Sequence, residues 1–118
     1  MKADAVIAAL GALAQDTRLS LYRLLVERGL NGMPAGEIAE ALRVPASSLS
    51  FHLSQLSRAG LVVQRRVGRQ LIYSTDFAAM NELIGYLTEN CCGGSGGPAC
   101  NPAVQSSADS IKGVRRSR

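Results

Sequence analysis

The chain has 118 residues, 47% of them hydrophobic and 19% charged, with no Trp and 4% aromatics. That length holds one domain plus a tail and excludes (β/α)8 barrels and two-domain dinucleotide folds, while the apolar fraction excludes global disorder. The net charge of +4 is unevenly placed: residues 61–75 carry Arg65, Arg66 and Arg69 and no acid, whereas residues 76–99 carry Asp76, Glu82 and Glu89 and no base, so a local polyanion contact is expected.

Residues 3–14 read as an apolar helix with Val6, Ala9, Leu10 and Leu13 at i, i+3, i+4 and i+7. So apolar a helix in so small a chain is expected to be covered by a partner subunit. Its basic start is interrupted by Asp4 and its apolar run continues into a periodic helix, which argues against a secretory signal. No run reaches the roughly 18 apolar residues of a membrane span. A second helix is expected from an Asp16 N-cap to Gly29, with Leu21, Leu24, Leu25 and Arg28 on one face. Asn31 and Gly32 mark a turn, and Pro34 fits the first turn of a third helix with Ile38, Ala39, Ala41 and Leu42 as its apolar positions. Val44-Pro45 ends that helix, because proline disfavours a helical residue before it.

A fourth helix over 46–59 buries Leu49, Leu53 and Leu56 and closes at Gly60. Two β-prone runs, Leu61-Val62-Val63 and Leu71-Ile72-Tyr73, then flank the arginines and predict a hairpin with Gly68 at its turn. Asp76 caps a last helix running to about residue 90, with Phe77, Met80, Ile84 and Leu87 as its apolar stripe. Residues 91–118 change character: a glycine-rich loop is bracketed by Cys91, Cys92 and Cys100, and a polar, basic tail follows. The expected organisation is a folded region over 1–90 and a Cys/Gly-rich loop with its tail over 91–118.

The third and fourth helices are joined by residues 43–46, and a basic hairpin follows at once. This is helix-turn-helix spacing with a wing, in a mainly α architecture. With the leucines inward, Ser47, Ser50, Phe51, Ser54 and Arg58 face outward, and Ser48, His52 and Gln55 lie on the flanks. Small hydroxyl and amide side chains let a helix sit deep in the major groove and bond base edges or phosphates, and Phe51 suits a thymine methyl. Arg65, Arg66 and Arg69 are spaced to grip phosphate, although alone they would also serve to deter strand pairing. His52 fits a phosphate donor and a half-buried structural histidine equally. The chain has no Cys-x-x-Cys, no phosphate loop with lysine and no base beside a nucleophile, so no enzyme is expected.

The run Leu42-Arg43-Val44-Pro45-Ala46-Ser47-Ser48-Leu49-Ser50-Phe51-His52-Leu53 resembles the ArsR/SmtB-type repressors, in particular the arsenic-responsive subgroup. So do Ala59-Gly60-Leu61-Val62, the arginine hairpin, and Asp16-Thr17-Arg18-Leu19 at the second helix. The resemblance covers roughly residues 5–90. It implies a winged-helix homodimer joined through its first and last helices. It also implies binding to an imperfect palindrome in double-stranded operator DNA, and release when a thiophilic effector binds.

An odd number of cysteines argues against a secreted disulfide scaffold and for the reducing cytoplasm. Adjacent Cα atoms lie about 3.8 Å apart, below the roughly 4.4–6.8 Å of ordinary disulfides, so Cys91 and Cys92 are expected as thiols. Three thiolates from Cys91, Cys92 and Cys100 suit a pyramidal As(III) or Sb(III) ion, whereas structural zinc takes four ligands. The same thiols would also suit Cd(II), Pb(II), a trivalent organoarsenical or an oxidation sensor, and a carrier that ignores DNA would use them too. Two arrangements seen among relatives are absent: the positions matching third-helix thiolates are Pro34, Gly36 and Ala39, and residues 76–90 contain no His.

Overall fold

The run of helix-forming segments broken by Gly and Pro folds as its spacing demands, with one strand added. A computed structural model describes residues 1–91. Its helices are α1 (Ala3–Leu13), α2 (Asp16–Arg28), α3 (Ala35–Leu42), α4 (Ala46–Arg58) and α5 (Phe77–Leu87). Its strands are β1 (Met33–Pro34), β2 (Val62–Val67) and β3 (Gln70–Thr75), and a 3₁₀ turn, Gly29–Asn31, follows α2. The chain divides into two units, Met1–Met80 and a second that begins at Asn81 within α5.

The first unit is held by an aliphatic core in which Leu21, Leu25, Ile38, Leu49, Leu56 and Leu61 are fully buried. On α1 the buried residues are Val6, Ala9 and Ala12, while the expected Leu10 is exposed beside Ile7. Nearly every α1 position is apolar, so periodicity alone does not select the face. The α2 N-cap is Gln15 instead of Asp16: its side chain accepts from the Arg18 amide at 2.8 Å, and Asp16 is the first helical residue. Tyr22 joins Leu21 and Leu25 in the core, and the expected Arg28 stays exposed.

Pro34 lies outside α3 and serves as its N-cap residue. With Met33 it forms a two-residue strand against β3, pairing Met33 with Tyr73 and Pro34 with Ile72. The sheet order is β1-β3-β2, so β2 is an edge strand. Gly32 makes the entry to β1 possible. Its φ is +70°, and a Cβ there would run into the Tyr73 carbonyl oxygen.

Between α3 and α4 the turn is three residues, with Arg43 left-handed (φ 58°) and the Val44 amide donating to the Ala39 carbonyl at 3.1 Å. The wing is the predicted hairpin, in register from Val62 opposite Thr75 to Val67 opposite Gln70, with Gly68 at φ +63° in its two-residue loop. A positive φ at the first loop residue matches the twist of the strands it joins.

Asp76 caps α5 as predicted, its carboxylate accepting from the Ala79 amide at 3.1 Å. The expected α5 stripe is corrected: Leu83 is the buried residue, Phe77, Met80 and Ile84 are half-buried, and Leu87 is exposed together with Tyr86. The last turn closes with the Cys91 amide donating to the Thr88 carbonyl at 2.9 Å. No helix among the described residues is long and apolar enough to cross a membrane. Cys92, Cys100 and the remainder of the expected loop and tail lie outside the described residues.

Two buried hydroxyls in the first unit, Tyr22 Oη and Thr75 Oγ1, have no hydrogen-bond partner among the described residues. Burial, and next the nearby Asp76 carboxylate, push the Tyr22 phenol up to about 12. A buried hydroxyl without a bond costs about 1–3 kcal/mol by mutational measures. Tyr22→Phe and Thr75→Val are therefore expected to leave stability unchanged or raise it by about 1 kcal/mol each in urea unfolding at neutral pH. A loss above about 1 kcal/mol would show that the hydroxyl holds a bonded water.

Candidate nucleic-acid interface

From Ala41 to Thr75 the chain carries five arginines and no acid, and this stretch contains both α4 and the wing. Leu49, Leu53 and Leu56 turn one side of α4 into the core. The opposite side presents Ser47, Ser48, Ser50, Phe51 and Ser54 to solvent, with Phe51 57% exposed, while His52 and Gln55 are half-buried. Among the described residues no side chain caps the α4 N-terminus, where Pro45 precedes the first turn. The amides of that turn are thus open to an acceptor, and the helix dipole favours an anion there.

His52 is placed by a residue that periodicity did not single out. Arg18, at the start of α2, donates from Nε to the Ala12 carbonyl at 2.6 Å and reaches the His52 Nδ1 at 3.2 Å with Nη1. A guanidinium only donates, so Nδ1 accepts and the ring proton sits on Nε2. Arg18 therefore ties the end of α1, the start of α2 and the middle of α4 together. The only sequence signal was its place in the Asp16-Thr17-Arg18-Leu19 run.

Burial, and then the Arg18 charge, hold the His52 pKa below its usual value of 6.5. The fold thus favours neutral His52, and the stability this confers is present above pH 6.5 and is lost as pH falls through the folded-state pKa. Urea midpoints measured at about pH 7.5 and 5.5 should show a smaller acid-side loss for His52→Gln than for the wild type. Equal losses would mean that the imidazole does not sense folding.

The hairpin has two distinct faces. Side chains alternate along a strand, and directly opposed residues share a face. Gln64 opposes Tyr73, and Arg66 opposes Leu71. Gln64 and Tyr73 line a cleft of about 370 Å3 with Ser50, Ser54 and Ser57 of α4, so Arg66 belongs to the α4-facing side. Arg65 opposes Ile72 on the other side. There its Nη1 donates to the Leu30 carbonyl at 3.2 Å and its Nη2 to the Asn31 carbonyl at 3.0 Å. Arg66 and Arg69 are exposed, Arg69 in the loop at the tip.

Cys91, half-buried, follows the end of α5, and no three His, Cys, Asp or Glu side chains converge among the described residues. Cys92 and Cys100 lie outside them.

Comparison with known proteins agrees with this arrangement. A helix-turn-helix domain pattern matches residues 13–65. The chain is 36% identical over 78 residues to the transcriptional activator HlyU of Vibrio cholerae, spanning 64% of this chain and 69% of that protein. It is 38% identical over 72 residues to a putative arsenical resistance operon repressor ArsR of Halobacterium salinarum, spanning 61% of this chain and 55% of that one. Among solved structures it is similar to an ArsR-like transcriptional regulator from Rhodococcus, with a TM-score of 0.62 and 28% identity over 71% of this chain and 76% of the other. It is also similar to a homodimeric winged helix-turn-helix DNA-binding domain from Mycobacterium bovis, with a TM-score of 0.59 and 28% identity over 74% of this chain and 81% of the other.

Proposed function

The chain belongs to the ArsR family of winged helix-turn-helix transcriptional regulators, which are DNA-binding proteins and not enzymes, and from that membership we propose that it is a cytoplasmic homodimeric repressor released from its operator when As(III) or Sb(III) is bound by Cys91, Cys92 and Cys100. The observation that carries the DNA half is the acid-free stretch of residues 41–75, with a serine-rich α4 face beside an arginine hairpin. Ser47, Ser48, Ser50, Phe51 and Gln55 read base edges or bond the backbone, His52 offers its Nε2 proton, and Arg66 and Arg69 meet phosphates. Two copies place their α4 helices about 34–36 Å apart, one turn of an imperfect palindrome.

Exposed Ile7 and Leu10 on α1, and exposed Tyr86 and Leu87 on α5, support a dimer formed through these two helices. A relative described as a homodimer supports it further. The sensing half is supported by three soft donors within ten residues, beginning at Cys91 in the turn four residues after α5. It is supported also by the relative described as an arsenical resistance operon repressor. Capturing the ion is coupled to operator release, and a coupling of about 1–3 kcal/mol lowers operator affinity about 5–150-fold.

Fluorescence anisotropy of a labelled duplex from the chain's own upstream region tests this. Arsenite is expected to release the wild type, and Cys91→Ser, Cys92→Ser and Cys100→Ser should each abolish the response. Release that survives all three single substitutions would overturn the three-thiol site.

A further inference from the structure

Among the described residues, the Arg65 guanidinium donates to two consecutive carbonyls, Leu30 and Asn31, at 3.2 and 3.0 Å. Those carbonyls end the 3₁₀ turn that follows α2, where backbone acceptors lack helical partners and the dipole favours a cation. The turn is itself pinned. The Gly32 amide donates to the Gly29 carbonyl at 3.3 Å, Gly32 lies against the Tyr73 backbone, and Met33 pairs with Tyr73.

Arg65 sits on the edge strand β2, and the turn lies next to β1 on the other edge. Its side chain therefore spans the three-stranded sheet over the Ile72 face and joins the strand that carries the wing to the body. Two-stranded ribbons twist more strongly than wider sheets, so the direction of a hairpin tip is sensitive to what holds its base. The hairpin beyond β1 is such a ribbon, because β1 pairs only with Tyr73 and Ile72.

We propose that Arg65 is a positioning residue of the wing. By holding the Leu30 and Asn31 carbonyls it sets the angle at which Gly68 and Arg69 are presented, and it leaves phosphate contact to Arg66 and Arg69. This rests on the DNA-binding reading above. It divides three arginines of identical chemistry by the face of the strand they occupy.

The test compares Arg65→Ala, Arg65→Lys and Arg66→Ala by two readouts. The first is the 15N order parameter of the Gly68 and Arg69 amides in the DNA-free protein. The second is the slope of log affinity against log salt for the upstream duplex. In the wild type the tip is expected to be rigid, near 0.85, and Arg65→Ala should lower it below about 0.6. Arg65→Lys keeps the charge but not the fork that reaches two carbonyls, and should also loosen the tip. Both Arg65 variants should bind DNA more weakly with the salt slope unchanged. Arg66→Ala should leave the tip rigid and reduce the slope by about 0.9. A rigid tip in Arg65→Ala overturns the proposal, as does a slope reduced by about 0.9 in Arg65→Ala or a tip already mobile in the wild type. If the wild type binds no duplex, the DNA reading fails, and the order parameters alone decide whether Arg65 braces the wing.

Discussion

Gly32→Ala is expected to lower stability by about 2–5 kcal/mol, a large share of the roughly 5–15 kcal/mol that a small domain has. Two costs add. An alanine held at φ +70° and ψ −163° pays about 1–2 kcal/mol for occupying a backbone region that is essentially glycine's own. Its Cβ would also collide with the Tyr73 carbonyl oxygen and lie 3.0 Å from the Ile72 Cγ2. The obstacle is backbone in the central strand, which cannot swing aside as a flexible side chain would, so overpacking adds about 1–3 kcal/mol. Relief by unpairing β1 would free the turn that carries the Leu30 and Asn31 carbonyls. Gly36 supplies the control. It lies in α3 at an ordinary helical φ with nothing within 4 Å of a Cβ, so Gly36→Ala should be neutral or stabilise by up to about 1 kcal/mol. Urea unfolding followed by circular dichroism at one fixed protein concentration checks both. A Gly32→Ala loss below about 0.5 kcal/mol would mean that the β1 entry relaxes without strain.

The second large effect is on DNA. Arg66→Ala combined with Arg69→Ala should weaken duplex binding about 30-fold near 0.15 M salt and reduce the log–log salt slope by about 1.8. The arithmetic follows from counterion release. Each lost phosphate contact removes about 0.9 from the slope, and at that salt one contact is worth about fivefold. The loss should be nearly the same on the operator and on unrelated duplexes, because phosphates carry no sequence. Ser47→Ala and Gln55→Ala should instead change which sequences are preferred while keeping the slope. Anisotropy titrations at several salt concentrations separate the two behaviours. An unaltered slope in the double arginine variant would remove these side chains from the phosphates.

What was legible beforehand follows the range of the interactions concerned. The α4 leucines, the Gly68 turn and the Asp76 cap depend on residues a few positions apart, and each was readable from spacing. The strand β1 was not. Two residues carry no period, and Pro34 reads naturally as a helix start until its pairing with Ile72 is seen. On α1, small and large apolar residues surround the helix, so the buried choice of Ala12 over Leu10 was set by what packs against it. The distinct positions of Arg65 and Arg66 were half legible. Alternation puts them on opposite faces, but the carbonyls that hold Arg65 come from residues 34 and 35 positions earlier. The tie between Arg18 and His52 also spans 34 positions and left no local trace.

The central claim is that α4 and the wing together recognise a particular duplex. Its most direct test is the affinity of the full-length protein, by anisotropy at about 0.15 M salt, for its own upstream region against a shuffled duplex of equal length and composition. The account predicts preference for the upstream duplex by about a thousandfold or more. Equal affinity for the two, or no binding to either, would contradict it.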